Sequence, residues 1–194
     1  MVESEKLMIP IGVSARHVHL SVAHIKALFG YEKLTPDFDL SQPGQFAATE
    51  RVTLKTTKNV IQHVRILGPA RSASQVEISK TDSFLLGIQP PTRLSGDLHD
   101  SEGIILEGPK GTVTLTEGCI IAQAHIHMHP RDADVFQVAD KQLVSVRVKS
   151  ERPVTFHDVI IRVSDSYALD MHIDTDEGNA AAIQKGMTGE ILIT

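Results

Sequence analysis

Apolar residues recur along this chain mostly in short runs or at every second position, the spacing of strands rather than of long helices. The stretches KLMIPIGVS, RVTLKTT, VIQHVRILGP, QVEIS, GIILEGPKGTVTLTEG, CIIAQAHIHM, LVSVRVKS, VTFHDVIIRVS and EILIT all read as strands bounded by turn residues. Within the fifth, EGPKGT predicts a hairpin turn. Helical signals are short. SVAHIKALFG opens with Ser21 as N-cap and closes with Gly30, HPRDADVFQVA has Pro130 in its first turn, and DEGNAAAIQKG ends on Gly186. Many short strands with few short helices predict a mainly β protein built of small barrels or sandwiches. One mixed α+β domain is the alternative.

Composition narrows this picture. The 194 residues suffice for one large domain or two small ones. Hydrophobic residues make up 41%, but aromatics only 4% and Trp is absent, so the core must be aliphatic. The net charge of −5 offers no basic surplus for nucleic acid. A single cysteine, Cys119, excludes an internal disulfide framework and Cys-rich zinc ribbons. No stretch reaches the roughly 20 apolar residues of a membrane helix, and the acidic start MVESEKLMIP does not read as a secretory signal. The expectation is a cytoplasmic protein that binds neither membrane nor nucleic acid.

Candidate chemistry begins with histidine. The His-x-His pattern occurs twice, as His17/His19 in SARHVHLS and as His125/His127 in AQAHIHMHP. On a strand, residues two apart project from the same face, about 6.5–7 Å apart at Cα, so two imidazoles can close on one metal ion. A third ligand would complete a site with a coordination position left open. The surroundings also match: each pair follows an apolar strand and precedes a turn and a short helical stretch. That echo points to two related barrels, each with a cap helix. An isolated pair is more often two ordinary histidines, but the repetition favours metal. His24, His63, His99 and His157 read as ordinary, and His129 is set aside because Pro130 turns the chain.

Three further positions stand out. His172, in DMHIDTDEGNAA, is a possible third imidazole with aspartates to orient it. Arg71, in LGPARSASQVEIS, lies in a Gly/Pro/Ser loop of the kind that holds phosphate through a bidentate guanidinium, although a plain surface arginine is the commoner reading. Glu77, on the strand that follows, is either a ligand carboxylate or part of a solvent face.

Taken in order, IPIGVSARHVHLS, LGPARSASQVEIS, AHIHM and MHIDTDEGNAA resemble the PduL family of phosphate propanoyltransferases (phosphotransacylases), over nearly the whole chain. The resemblance implies two small closed β-barrels, each capped by short helices, with a dinuclear metal site between them. It divides the chain into residues 1–14 plus 123–194 and residues 15–122. It implies one zinc on His17, His19 and Glu77, and another on His125, His127 and His172. Arg71 falls on the family's phosphate-binding arginine, and Val13, Ser14, Ala15, Lys58, Arg65 and Asn179 on its coenzyme A contacts. The implied reaction converts a short-chain acyl-CoA (propanoyl or acetyl) and phosphate into acyl phosphate and CoA, reversibly. There are two departures. Ala124 stands where the family usually has arginine. Only about ten residues precede the first motif strand, which argues against a microcompartment-targeting helix.

Both readings meet in one chemistry. Three protein ligands per metal leave room for reactants, and a histidine-rich set with one carboxylate suits zinc while tolerating cobalt, nickel or iron(II). Phosphate, held by the metals and Arg71, would attack the thioester directly. A covalent route through Cys119 is disfavoured because no base accompanies it. The competing functions are a zinc-dependent thioester hydrolase and a non-catalytic, metal-stabilised binding barrel. A homodimer is the default assembly, and an acetate or propionate kinase is the expected pathway partner.

Overall fold

The computed structural model describes residues 7–192. The N-terminal stretch read as lacking a signal, and the end of the EILIT strand, lie partly outside them. In chain order the elements are β1 (Met8–Ser14), β2 (His17–His19), α1 (Val22–Phe29), β3 (Pro36–Asp39), β4 (Phe46–Lys55), β5 (Val60–Gly68), β6 (Gln75–Glu77), α2 (Lys80–Leu86), β7 (Thr92–Arg93), β8 (Glu102–Glu107), β9 (Thr112–Ala122), β10 (His125–Met128), α3 (Pro130–Phe136), β11 (Leu143–Val148), β12 (Val154–Val163), β13 (Asp170–Asp174), α4 (Thr175–Ala180) and β14 (Thr188–Leu192). The protein is mainly β, as its alternating pattern predicts. No helix among the described residues is long and apolar enough to cross a membrane.

The chain divides into two compact units. Unit 1 comprises Met1–Ser14, Ser41–Pro43 and Gln123–Thr194; unit 2 comprises Ala15–Leu40 and Gly44–Ala122. In unit 2, strands β4, β5, β2, β6, β9 and β8 pair in succession, and β8 returns to β4, closing a barrel. The short strands β3 and β7 pair onto β4 and β9. In unit 1, β11, β12, β10, β13, β1 and β14 close a second barrel. Closure leaves no unpaired edge in either ring.

The two rings have one topology. Each His-x-His strand runs parallel to one neighbour (β2 with β5, β10 with β12) and antiparallel to the other (β2 with β6, β10 with β13). The remaining pairings match as well, with β1 in the place of β9. The N-terminal strand thus completes the barrel formed by the C-terminal half of the chain.

Each interior is aliphatic, as the scarcity of aromatics requires. Val18, Leu20, Ile25, Leu54, Ile66, Leu106 and their neighbours fill unit 2. Ile9, Ile126, Met128, Val146, Ile161 and Met171 fill unit 1. Each such side chain contributes roughly 1.5–3 kcal/mol on burial.

Helix ends follow the local chemistry. Ser21 caps α1 by accepting from the His24 N–H, and Gly30 closes it at φ 84°, a left-handed conformation that glycine adopts without a Cβ clash. α2 was not anticipated: Ser79 and Asp82 form a capping box directly after β6. The third expected helix is corrected. α4 covers only Thr175–Ala180, because Asp174 and Glu177 form a capping box and Ala181 ends the helix. Gly186, expected as its C-cap, instead takes a positive φ in the turn before β14.

Candidate metal and phosphate site

Two clusters of metal-ligating side chains exist among the described residues: His17, His19 and Glu77 in unit 2, and His125, His127 and His172 in unit 1. Within each, the donor atoms all lie within 4.8 Å of one another. The strand pairing explains why. β2 is buried along its length, and antiparallel pairing sets His17 directly opposite Glu77 on β6. The same pairing sets His125 opposite His172 on β13. Residues two apart on a strand share a face, so one rung of the ladder plus the next His completes a triad.

The first histidine of each pair is oriented from behind. His17 Nδ1 lies 2.9 Å from the Ala15 carbonyl oxygen, and His125 Nδ1 lies 2.7 Å from that of Gln123. A carbonyl can only accept, so Nδ1 carries the proton and the lone pair rests on Nε2. In unit 1, Asp170 Oδ2 lies 3.2 Å from His172 Nε2, and Gly12 leaves that carboxylate its space.

Protonation equilibria in unit 2 reflect the crowding. Burial pushes His19 well below its ordinary value, aided by His17 and Arg71, so its imidazole is neutral. Burial also opposes charge on His17, but Glu77 and the Ala15 carbonyl outweigh it and raise its pKa. Burial opposes ionisation of Glu77 too, yet His17, His19 and Ser95 hold its carboxyl far below the usual range. His19 Nδ1 is buried without a hydrogen-bond partner. A neutral buried imidazole that faces one further imidazole, His17, and one carboxylate, Glu77, fits a divalent cation.

Arg71 sits in the loop between β5 and β6. Its backbone N–H donates to the Leu20 carbonyl (2.9 Å), and Ser74 Oγ at the end of the loop accepts from the Ser21 N–H (2.9 Å). The loop is therefore fastened to the start of α1. Arg71 Nη1 donates to Ser95 Oγ (3.1 Å), and Ser95 Oγ donates to Glu77 Oε1 (2.9 Å). Gln75, which shares its strand face with Glu77, donates through Nε2 to Ser95 Oγ (2.9 Å) and to Glu77 Oε1. Sequence reading passed over both Gln75 and Ser95. The period of two that links Gln75 to Glu77 was available as a signal, whereas nothing in the sequence marks Ser95 beyond its place before Gly96.

The remaining expected positions fall into two groups. Ala15, Lys58 and Arg65 belong to unit 2, and Val13, Ser14 and Asn179 to unit 1. Arg65 is tied down: Nη1 donates to Asp37 Oδ2 (2.8 Å), and its guanidinium lies 5.0 Å from the centroid of Phe38. The Lys58 stem packs where a Cβ on Gly87 would sit. Val13 is exposed and lies against Gly178, where an added Cβ would approach its methyl groups to 2.9 Å; Asn179 follows on the same helix. His129 caps α3, and His24 and His157 bond to serines, Ser74 and Ser145. Burial and Glu102 push the Cys119 thiol up to about 12, which removes it as a nucleophile.

The Ala124 departure acquires a structural meaning. Arg16, just before the first His-x-His, forks onto Asp82 (Nε to Oδ2 2.8 Å, Nη2 to Oδ1 2.7 Å), the third residue of α2. Ala124 is its counterpart, and Glu177 the counterpart of Asp82 on α4. Burial, with Asp174 and Asp176 nearby, pushes the Glu177 carboxyl up to about 7.

Comparison with known proteins gives a consistent answer. Residues 10–184 match the profile of a family described as phosphate propanoyltransferase. The chain is 52% identical over 191 residues to a phosphate propanoyltransferase of Alkaliphilus metalliredigens, covering 98% of this chain and 90% of the relative. It is 56% identical over 183 residues to that of Priestia megaterium (93% and 84%). It is 52% identical over 179 residues to that of Thermotoga maritima (91% and 85%).

Proposed function

This chain belongs to the phosphate propanoyltransferase family of acyltransferases, and on that premise we propose that it exchanges phosphate and coenzyme A on a short acyl group, propanoyl or acetyl, by direct attack of phosphate on the thioester. The observation that carries this reading is the His17/His19/Glu77 triad with Arg71 beside it, whose charge works against protonation of both histidines.

The donor sets suit one zinc ion per triad, which when bound supplies Lewis acidity toward phosphate and carbonyl oxygens. The protein's own groups do the rest. Arg71 holds phosphate through its planar fork and fixes its orientation. A phosphate oxygen forms a bond to the carbonyl carbon, the C–S bond breaks, and CoA leaves as thiolate. The reverse reaction retraces these steps. Lys58 and Arg65 pair with the phosphates of the coenzyme, Arg65 exchanging Asp37 for them; Ala15 in unit 2 and Val13, Ser14 and Asn179 in unit 1 are the other assigned contacts. The acyl phosphate suits an acetate or propionate kinase, and a homodimer is the expected assembly.

The decisive experiment is a CoA-release assay over short acyl-CoAs, with and without phosphate, on protein of measured metal content. CoA release that requires phosphate and yields acyl phosphate supports the reading. Phosphate-independent release of free acid would establish a hydrolase instead.

A further inference from the structure

The hydroxyl of Ser95 has one proton and two lone pairs, and all three are used. It accepts from Arg71 Nη1 (3.1 Å) and Gln75 Nε2 (2.9 Å) and donates to Glu77 Oε1 (2.9 Å). A turn holds it in place: the Asp97 N–H donates to the Leu94 carbonyl (2.9 Å), with Ser95 and Gly96 at the centre. Gly96 takes φ 103°, which side chains rarely adopt, and its N–H donates to Gln75 Oε1 (2.8 Å). Gln75 is 1% exposed, so its amide is a buried brace.

The two oxygens of Glu77 are thereby made different. Oε1 receives two donors, the Ser95 hydroxyl and the Gln75 amide, which fill its lone pairs. Oε2 lies 3.4 Å from His17 Nε2, whereas Oε1, already bonded twice, lies farther from the triad imidazoles, 3.9 Å from His19 Nε2. We infer that Ser95 is a positioning residue for the transfer reaction: its hydroxyl holds the Arg71 guanidinium and rotates Glu77 so that Oε2 is the oxygen turned to the metal. Phosphate orientation and metal affinity are coupled through it. This deepens the proposed function and rests on it.

The coupling is tested with Ser95→Ala and Ser95→Thr in the full chain, by two readouts. The first is the KM for inorganic phosphate against kcat. The second is the affinity for Zn2+ alone, by competition with a chromophoric chelator. For Ser95→Ala, the phosphate KM rises about 10-fold or more, and one of two zinc equivalents weakens about 10-fold or more, the range expected when a ligand's orienting partner is lost. The KM for acyl-CoA stays within about two-fold, and Ser95→Thr, which keeps the hydroxyl, restores both readouts. A Ser95→Ala enzyme with unchanged phosphate KM, unchanged zinc affinity, or only one of the two altered overturns the coupling. Failure of the functional reading looks different, because the wild type itself would then show no phosphate-dependent CoA release.

Discussion

Glu77 and His172 hold the same rung in two barrels of one topology: each faces the first histidine of a His-x-His strand across an antiparallel ladder. The chain thus carries the same frame twice, with a carboxylate at this position in one barrel and an imidazole in the other.

That frame predicts the metal stoichiometry. Glu77→Ala and His172→Ala should each lower bound zinc from two equivalents to one, read by elemental analysis. Turnover should fall by roughly two orders of magnitude or more in each. Chelation of the wild type should lower both activity and Tm, because metal that binds only the folded state stabilises it.

Arg71 is assigned to phosphate rather than to the coenzyme. Arg71→Lys keeps the charge but loses the fork, so the KM for phosphate should rise about 10-fold or more while the KM for acyl-CoA changes little. Steady-state kinetics with each substrate varied in turn provides the measurement. An unaltered phosphate KM would refute the assignment.

Glu177 predicts a pH dependence of stability. Its folded pKa of about 7 lies above the ordinary 4.5, so the folded protein binds more protons between these values. The stabilisation is complete below about pH 4.5 and is lost as pH rises through about 7. Glu177→Gln, which keeps the capping geometry, should match the wild type near pH 5 and be the more stable near pH 8. The difference, on the order of 1–2 kcal/mol after allowance for partial hydration, is read from denaturant melts at the two pH values.

Cys119 is fully buried, and its thiol is pushed up to about 12. Native protein should resist iodoacetamide, and Cys119→Ala should retain near-normal kcat despite some loss of packing. Loss of turnover with intact metal content would revive the covalent route.

The alternating pattern made most strands legible. The first five residues of RVTLKTT end β4, VIQHVRILG is β5, and EGPKGT is the β8–β9 hairpin, closed by the Gly108 N–H on the Gly111 carbonyl (2.9 Å). Helix α2 was not legible, because Phe84 and Leu85 are 74% and 50% exposed and blur any apolar face. The His-x-His pairs advertise themselves because period-two spacing is local. Ser95 does not, because its importance comes from a turn eighteen residues beyond Glu77 that tertiary folding brings back to it.

Along the chain β1 precedes every strand of the ring that holds Glu77, yet both of its own partners, β13 and β14, follow that ring. The ring that holds Glu77 can close once β9 emerges, during synthesis, while β1 waits with bare edges. The all-histidine cluster acquires its enclosing wall only after β13 and β14 have been made. Truncation before β13 should therefore spare the first-made ring and abolish the second.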